Sequence, residues 1–318
     1  MRFAFLIALA ILLLPNFHQI NATQDGVRIL VTFSNLVYDL KLIVCQSDEV
    51  DYLVPQGLDP HDYELRPEDL DKLRRADLIV STGHTPFEAR IREMILRGEI
   101  GAKLIEIPRI NGIIIHENPV TKQPNYHMPI YDPGNYLAFM RELKYDLSEL
   151  NPSCSQVYEE SYERIEESVR ELMKSVKMMN VTALLSLPSG QYALEWLGVK
   201  VKYLLMKEEG LPASPSELSE IYRAAGRGEI DLIVTVGDEG TTVNRKAIEI
   251  STEFGVRKVN IPSPLDRGSF IDKLKLVVES LEGGREVKGG SGIQQAIPYA
   301  VLVATLISLA LIHLLRRK

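Results

Sequence analysis

Four of the six histidines, His61, His84, His116 and His127, fall between residues 61 and 127, each in a stretch of turn-forming residues. Neutral imidazole is the commonest nitrogen ligand for zinc and other first-row divalent ions, and carboxylates complete such sites. An isolated loop histidine serves as readily as a surface or capping residue, so the flanking residues matter. His61 lies in V-D-Y-L-V-P-Q-G-L-D-P-H-D-Y-E-L-R-P-E-D-L, Val50 to Leu70. There a β-rich run breaks at Pro55 and Gly57, and a helix starts at Pro67 with Glu68 and Asp69 in its first turn. Side chains on such a loop reach a cleft while the flanking backbone stays fixed. The sequence contains no H-E-x-x-H, G-x-S-x-G, P-loop, G-x-G-x-x-G or C-x-x-C word, so no enzyme is expected.

The elements around these histidines read as alternating strands and helices. In the first half, strands are expected at Val27 to Phe33, Val50 to Val54, Asp77 to Ser81 and Lys103 to Ile107. Helices are expected at Leu36 to Val44, Pro67 to Arg75 and Pro86 to Arg97. After an irregular segment, Pro108 to Pro133, come helices at Asn135 to Leu150 and Ser153 to Met179. A second alternating half follows, with strands at Val181 to Ser186, Val199 to Leu205, Asp231 to Val236 and Arg257 to Ile261. The expected fold is α/β: two lobes, each a mainly parallel sheet flanked by helices, joined by one long helix. Ligands of such sheets bind at the carboxyl ends of the strands, where His61 and His84 belong, and a cleft between two lobes suits a small ligand.

The ends have the composition of processing and membrane segments. Residues 1–22 read as a secretory signal peptide, 23–150 as the first lobe, 151–180 as the linking helix and 181–282 as the second lobe. Residues 283–295 read as a Gly-rich tether, and 296–315 as an apolar run long enough to span a bilayer. Arg316, Arg317 and Lys318 follow that run, which places the globular body on the extracellular side of a cell membrane. Setting aside the cations Arg2, Arg316, Arg317 and Lys318 takes the formal charge from −7 to near −11, against nucleic acid as a partner. Cys45 and Cys154 are too few for a disulfide framework, although an oxidising exterior allows them to pair.

The segment G-L-D-P-H-D-Y-E-L-R-P-E-D-L, followed by L-R-R-A-D-L-I-V-S-T-G-H-T-P-F-E, resembles the signature of the solute-binding proteins of zinc and manganese ABC transporters. The combination with a membrane anchor is similar to the prokaryotic, especially archaeal, form of such proteins. The resemblance implies capture of zinc or manganese as transported ligand, delivery to an ABC permease, and a monomer in which the long helix limits lobe movement. It puts the first metal ligand on His61 and the second on His127, in a segment that keeps Asp132-Pro133-Gly134-Asn135. Near Leu187, where the family has a third ligand, stand only the polar residues Ser186, Ser189 and Gln191. The fourth, a carboxylate, resembles Asp266 in P-L-D-R-G-S-F, with Asp238 and Glu239 as alternatives. His84 is a further candidate that the motif does not require, and His116 has no expected metal role. The other reading is a divergent relative that binds another solute or serves in surface adhesion.

Overall fold

The strand β1 (Arg28–Phe33, RILVTF) buries five of its six residues, as a central parallel strand covered on both faces must. The computed structural model describes residues 26–58, 61–208 and 210–283; the leader, most of the tether and the 296–315 run lie outside them. With β2 (Glu49–Val54), β3 (Leu78–Ser81) and β4 (Lys103–Glu106), β1 forms a parallel sheet in the order β2-β1-β3-β4. Helices α1 (Val37–Ile43), α2 (Pro67–Arg75) and α3 (Pro86–Leu96) connect its strands. Both α2 and α3 open on a proline and a carboxylate in the first turn, which accepts an otherwise orphaned backbone N–H: Asp69 from Arg66 at 2.8 Å, Glu88 from Thr85 at 3.1 Å.

Two helices, α4 (Pro133–Leu150) and α5 (Ser155–Ser175), lead to the second half. On α5, Tyr158, Tyr162, Ile165, Val169 and Leu172 are buried at alternating four- and three-residue steps, the packing stripe the spacing predicts. The helix ends at Ser175 rather than Met179, because Met179 N–H instead donates to Leu197 O at 2.8 Å and joins the second half. There β5 (Val181–Leu185), β6 (Val199–Leu204), β9 (Leu232–Val236) and β10 (Arg257–Ile261) form a second parallel sheet, ordered β10-β9-β5-β6. Helices α6 (Gln191–Glu195), α7 (Pro215–Gly226), α8 (Thr242–Phe254) and α9 (Phe270–Gly283) accompany it. A small antiparallel hairpin, β7 (Met206–Glu208) with β8 (Leu211–Pro212), was not among the expected elements; its strands are too short to leave a periodic pattern.

The largest core cluster is continuous between the halves, running from Val31 and Leu36 through Phe139 and Val169 to Leu185 and Ile261. A buried polar network crosses it. Asp39 Oδ1 accepts from Tyr136 Oη (2.9 Å) and Phe270 N–H (2.8 Å), while Pro264 O accepts from Asn35 Nδ2 (3.0 Å) and Lys273 Nζ (2.8 Å). The two halves are held as one body by apolar packing and by the two enclosed bonds that cross between them, Phe270 N–H to Asp39 and Asn35 to Pro264, which wide opening would have to break. Cys45, after α1, and Cys154, before α5, are disulfide-bonded with Cα atoms 6.1 Å apart. Among the described residues no helix is long and apolar enough to cross a membrane.

Burial pushes the Asp39 carboxyl from its ordinary 3.8 up to about 7, partly offset by the Phe270 N–H and Lys273. Between those values the folded chain holds a proton on Asp39 that the unfolded chain releases, so the contribution of this group to stability falls as pH rises from about 4 to 7. Thermal unfolding across that interval should show a shallower fall for Asp39→Asn than for the wild type; parallel curves would mean that Asp39 does not titrate there.

Candidate metal centre

Because the strands of the first sheet run parallel, the loops after β2 and β3 leave it at the same edge, and they carry His61 and His84. Phe33, at the end of the intervening β1, stacks on His84 with ring planes 11° apart. His127 comes from the long segment between β4 and α4. Its neighbour Met128 is held in the left-handed region, φ 57° and ψ 61°, a conformation costly enough for a non-glycine residue to need support from its surroundings.

The three imidazoles converge. Ring centroids are 5.4 Å apart for His61 and His84, 5.5 Å for His84 and His127, and 6.1 Å for His61 and His127. One nitrogen from each lies within 4.8 Å of the others. Nitrogens bound tetrahedrally to one zinc ion at about 2 Å stand about 3.3 Å apart, so modest ring rotation would close the set.

Two of the rings are oriented by hydrogen bonds on the side away from the cluster. Thr82 Oγ1 donates to the Glu88 carboxylate (2.8 Å to Oε2) and so accepts, at 2.9 Å, from His84 Nδ1–H. Glu88 also accepts from the backbone N–H groups of Thr82, His84 and Thr85, which fixes it as a buried anion. His127 Nδ1–H donates to Asn125 Oδ1 at 2.9 Å, and Asn125 Nδ2 donates in turn to Pro188 O (3.0 Å) and Gln191 Oε1 (2.9 Å). Both arrangements put the proton on Nδ1 and leave the Nε2 lone pair for a ligand, the usual support behind a metal-binding histidine. Burial and the neighbouring His84 and His61 press His127 down to about 4; burial lowers His84 as well, against the pull of Glu88. Both rings are therefore neutral at neutral pH, the form that binds metal.

The second half closes the other side. A cavity of about 430 Å³ is lined by the three histidines together with Leu187, Ser189 and Asp266. Asp266 reaches the wall, but its Oδ2 accepts from Ser263 N–H at 2.8 Å and caps its own turn. Glu208, on β7 and behind the cavity-lining residues, places Oε2 3.7 Å from His127 Nε2. Burial raises its carboxyl pKa.

The model of the zinc-uptake complex component A, periplasmic (ZnuA), matches residues 29–282. The chain belongs to the ZnuA family. This family is one of solute-binding proteins rather than enzymes, and the chain is the substrate-binding component of a metal-uptake system. The chain is 23% identical over 273 residues to the manganese-binding lipoprotein MntA of Halalkalibacterium halodurans, covering 82% of this chain and 89% of that protein. The SBP FpvC from Pseudomonas aeruginosa in complex with Mn2+ superposes with a TM-score of 0.66 at 20% identity, over 81% of this chain and 100% of that one. A crystal structure of ZnuA gives 0.65 at 22% identity, over 81% and 99%. The structural likenesses agree with the two-sheet α/β fold.

Within this ZnuA-family fold the candidate ligands separate. His61 and His127 come together, and His84 joins them. Gln191 stands behind His127 through Asn125, and Ser186 Oγ accepts from Val236 N–H at 3.1 Å inside the sheet. Asp238 accepts from Gly240 N–H at 2.8 Å and Glu239 pairs with Lys258; neither lines the cavity. His116 lies apart, its Nδ1 2.5 Å from Glu195 Oε2 and its ring against Tyr192. His84 was legible as a histidine after a strand at the His61 edge. Glu208 carried no local signal.

Proposed function

We propose that this chain captures a divalent transition metal, zinc in preference to manganese, in the cleft between its two halves and delivers it as a monomer to an ABC permease. The convergence of His61, His84 and His127 carries this reading. Three imidazoles make a nitrogen-rich set, and nitrogen donors favour zinc over manganese, which takes oxygen donors more readily. Two similar proteins carry manganese in their names, so metal choice is where this chain would differ from them. Asp266 would lend negative potential from the cavity wall. Residues 23–150 and 181–282 would act as the two jaws, with 151–180 between them limiting their movement and the continuous core limiting it further. The 296–315 run, after its tether, would hold the body outside the cell membrane, as a lipid would in the lipoproteins.

The full chain extracted from membranes with detergent is expected to bind one zinc ion, and manganese at least ten times more weakly, in calorimetric titrations. A chain recovered in the soluble fraction would remove the anchor. Absence of binding to both ions would favour a relative that carries another solute.

A further inference from the structure

We infer that Glu208, carried by the β7–β8 hairpin, is the second-half carboxylate that completes the metal site; this rests on the three-imidazole reading above. The decisive contact is Glu208 Oε2 to His127 Nε2 at 3.7 Å. His127 turns Nδ1 to Asn125 Oδ1, so it is Nε2 that faces the Glu208 carboxylate. Their separation is already close to the roughly 3.3 Å between ligands of a tetrahedral zinc ion.

The surroundings hold Glu208 in place without neutralising it. Asn118, itself fully buried, donates from Nδ2 to Glu208 Oε1 (3.1 Å) and to Lys207 O (2.6 Å), and its Oδ1 accepts from Val120 N–H and Thr121 N–H. This ties the hairpin to the same loop segment that delivers His127. The adjacent cation Lys207 turns away to Glu217, with both carboxylate oxygens within 3.1 Å of Nζ. Three neutral imidazoles bring no charge to a dication, and one carboxylate halves the net charge that remains. Asp266 and Glu208 each have one carboxylate oxygen committed, to Ser263 N–H and to Asn118, but it is Glu208 whose other oxygen lies 3.7 Å from His127 Nε2, and Leu187, at the expected third position, has no donor atom. A three-histidine, one-carboxylate set has the four ligands zinc prefers.

The test uses the full chain, its Glu208→Gln and Glu208→Asp variants, and His61→Ala, with zinc in competition against a chromophoric chelator and cobalt(II) as a spectroscopic probe. Glu208→Gln keeps an acceptor for Asn118 and is expected to bind zinc about 100-fold more weakly, with altered intensity of the visible cobalt(II) bands. Glu208→Asp should recover part of the affinity, and the metal-free unfolding midpoint should stay unchanged in both variants. Wild-type affinity and spectrum in Glu208→Gln, with binding lost in His61→Ala, would overturn the assignment of Glu208 and leave the histidine site standing. Absence of zinc binding by the wild type would overturn both.

Discussion

The double variant His61→Ala/His127→Ala is expected to lose stoichiometric zinc binding. Removing both leaves His84 as the last imidazole of the cluster. Zinc sites that fold around their ion bind with apparent free energies of about 10–16 kcal/mol, or about 3 kcal/mol for each of four ligands. Losing two ligands then costs about 6 kcal/mol, which is about four orders of magnitude in affinity. The fold should survive, because His61 and His127 sit on loops at the cleft and neither belongs to the apolar clusters that hold the sheets together. Calorimetry and elemental analysis after dialysis provide the measurement, with the metal-free unfolding curve as control. Wild-type affinity in the double variant would place the ion elsewhere.

Replacing Cys45 and Cys154 by alanine should produce the largest loss of stability of any change considered. The bond closes a loop with a sequence separation of 109 residues. Releasing a loop of that size returns about 4–5 kcal/mol of chain entropy to the unfolded state, and measured losses for native disulfides run about 2–5 kcal/mol. For a body of this size that lowers the unfolding midpoint by about 10 °C. Native contacts next to the bond soften the effect: Tyr158 Oη donates to Asp48 Oδ2 at 2.8 Å, and Asp48 also accepts from the N–H groups of Val27 and Cys45. They keep the α1–β2 turn against the start of α5 without the covalent link. Neither cysteine lines the cavity that holds the three histidines, so zinc affinity measured well below the midpoint should be nearly unchanged. Calorimetric scans of the wild type, the double alanine variant and the reduced wild type would check this; coincident scans would mean that the packing alone holds the junction.

The architecture was readable from residues a few positions apart. Buried parallel strands such as L-I-V-S and L-I-V-T-V are runs of apolar and β-branched residues, and helices such as Pro67–Arg75 and Pro86–Leu96 announce themselves by a proline and an acid in the first turn. Those signals are local, so they placed the eight strands of the parallel sheets to within a residue or two, the alternation that makes those sheets, and His61 at a carboxyl edge. The long helix was overextended at Met179 because the bond that ends it is made to Leu197, across a strand and a helix.

The site depends on longer-range geometry. His61 and His127 could be named from the resemblance of their segments to one family, but a motif says nothing of a residue that reaches the cleft from outside it. His84 comes beside His61 because β2 and β3 both flank β1, and Glu208 comes within 3.7 Å of His127 because a short hairpin of the second half is tied by Asn118 to a loop of the first. Asp266 occupies the cavity wall, yet its carboxylate is directed by the backbone N–H of its own turn. By itself the sequence determined the main strands and helices, their order and the family, since these follow from periodicity, caps and short segments. Only the tertiary structure decided which side chains share one cavity and which of their atoms remain free, because each depends on hydrogen bonds and packing between residues far apart in the chain.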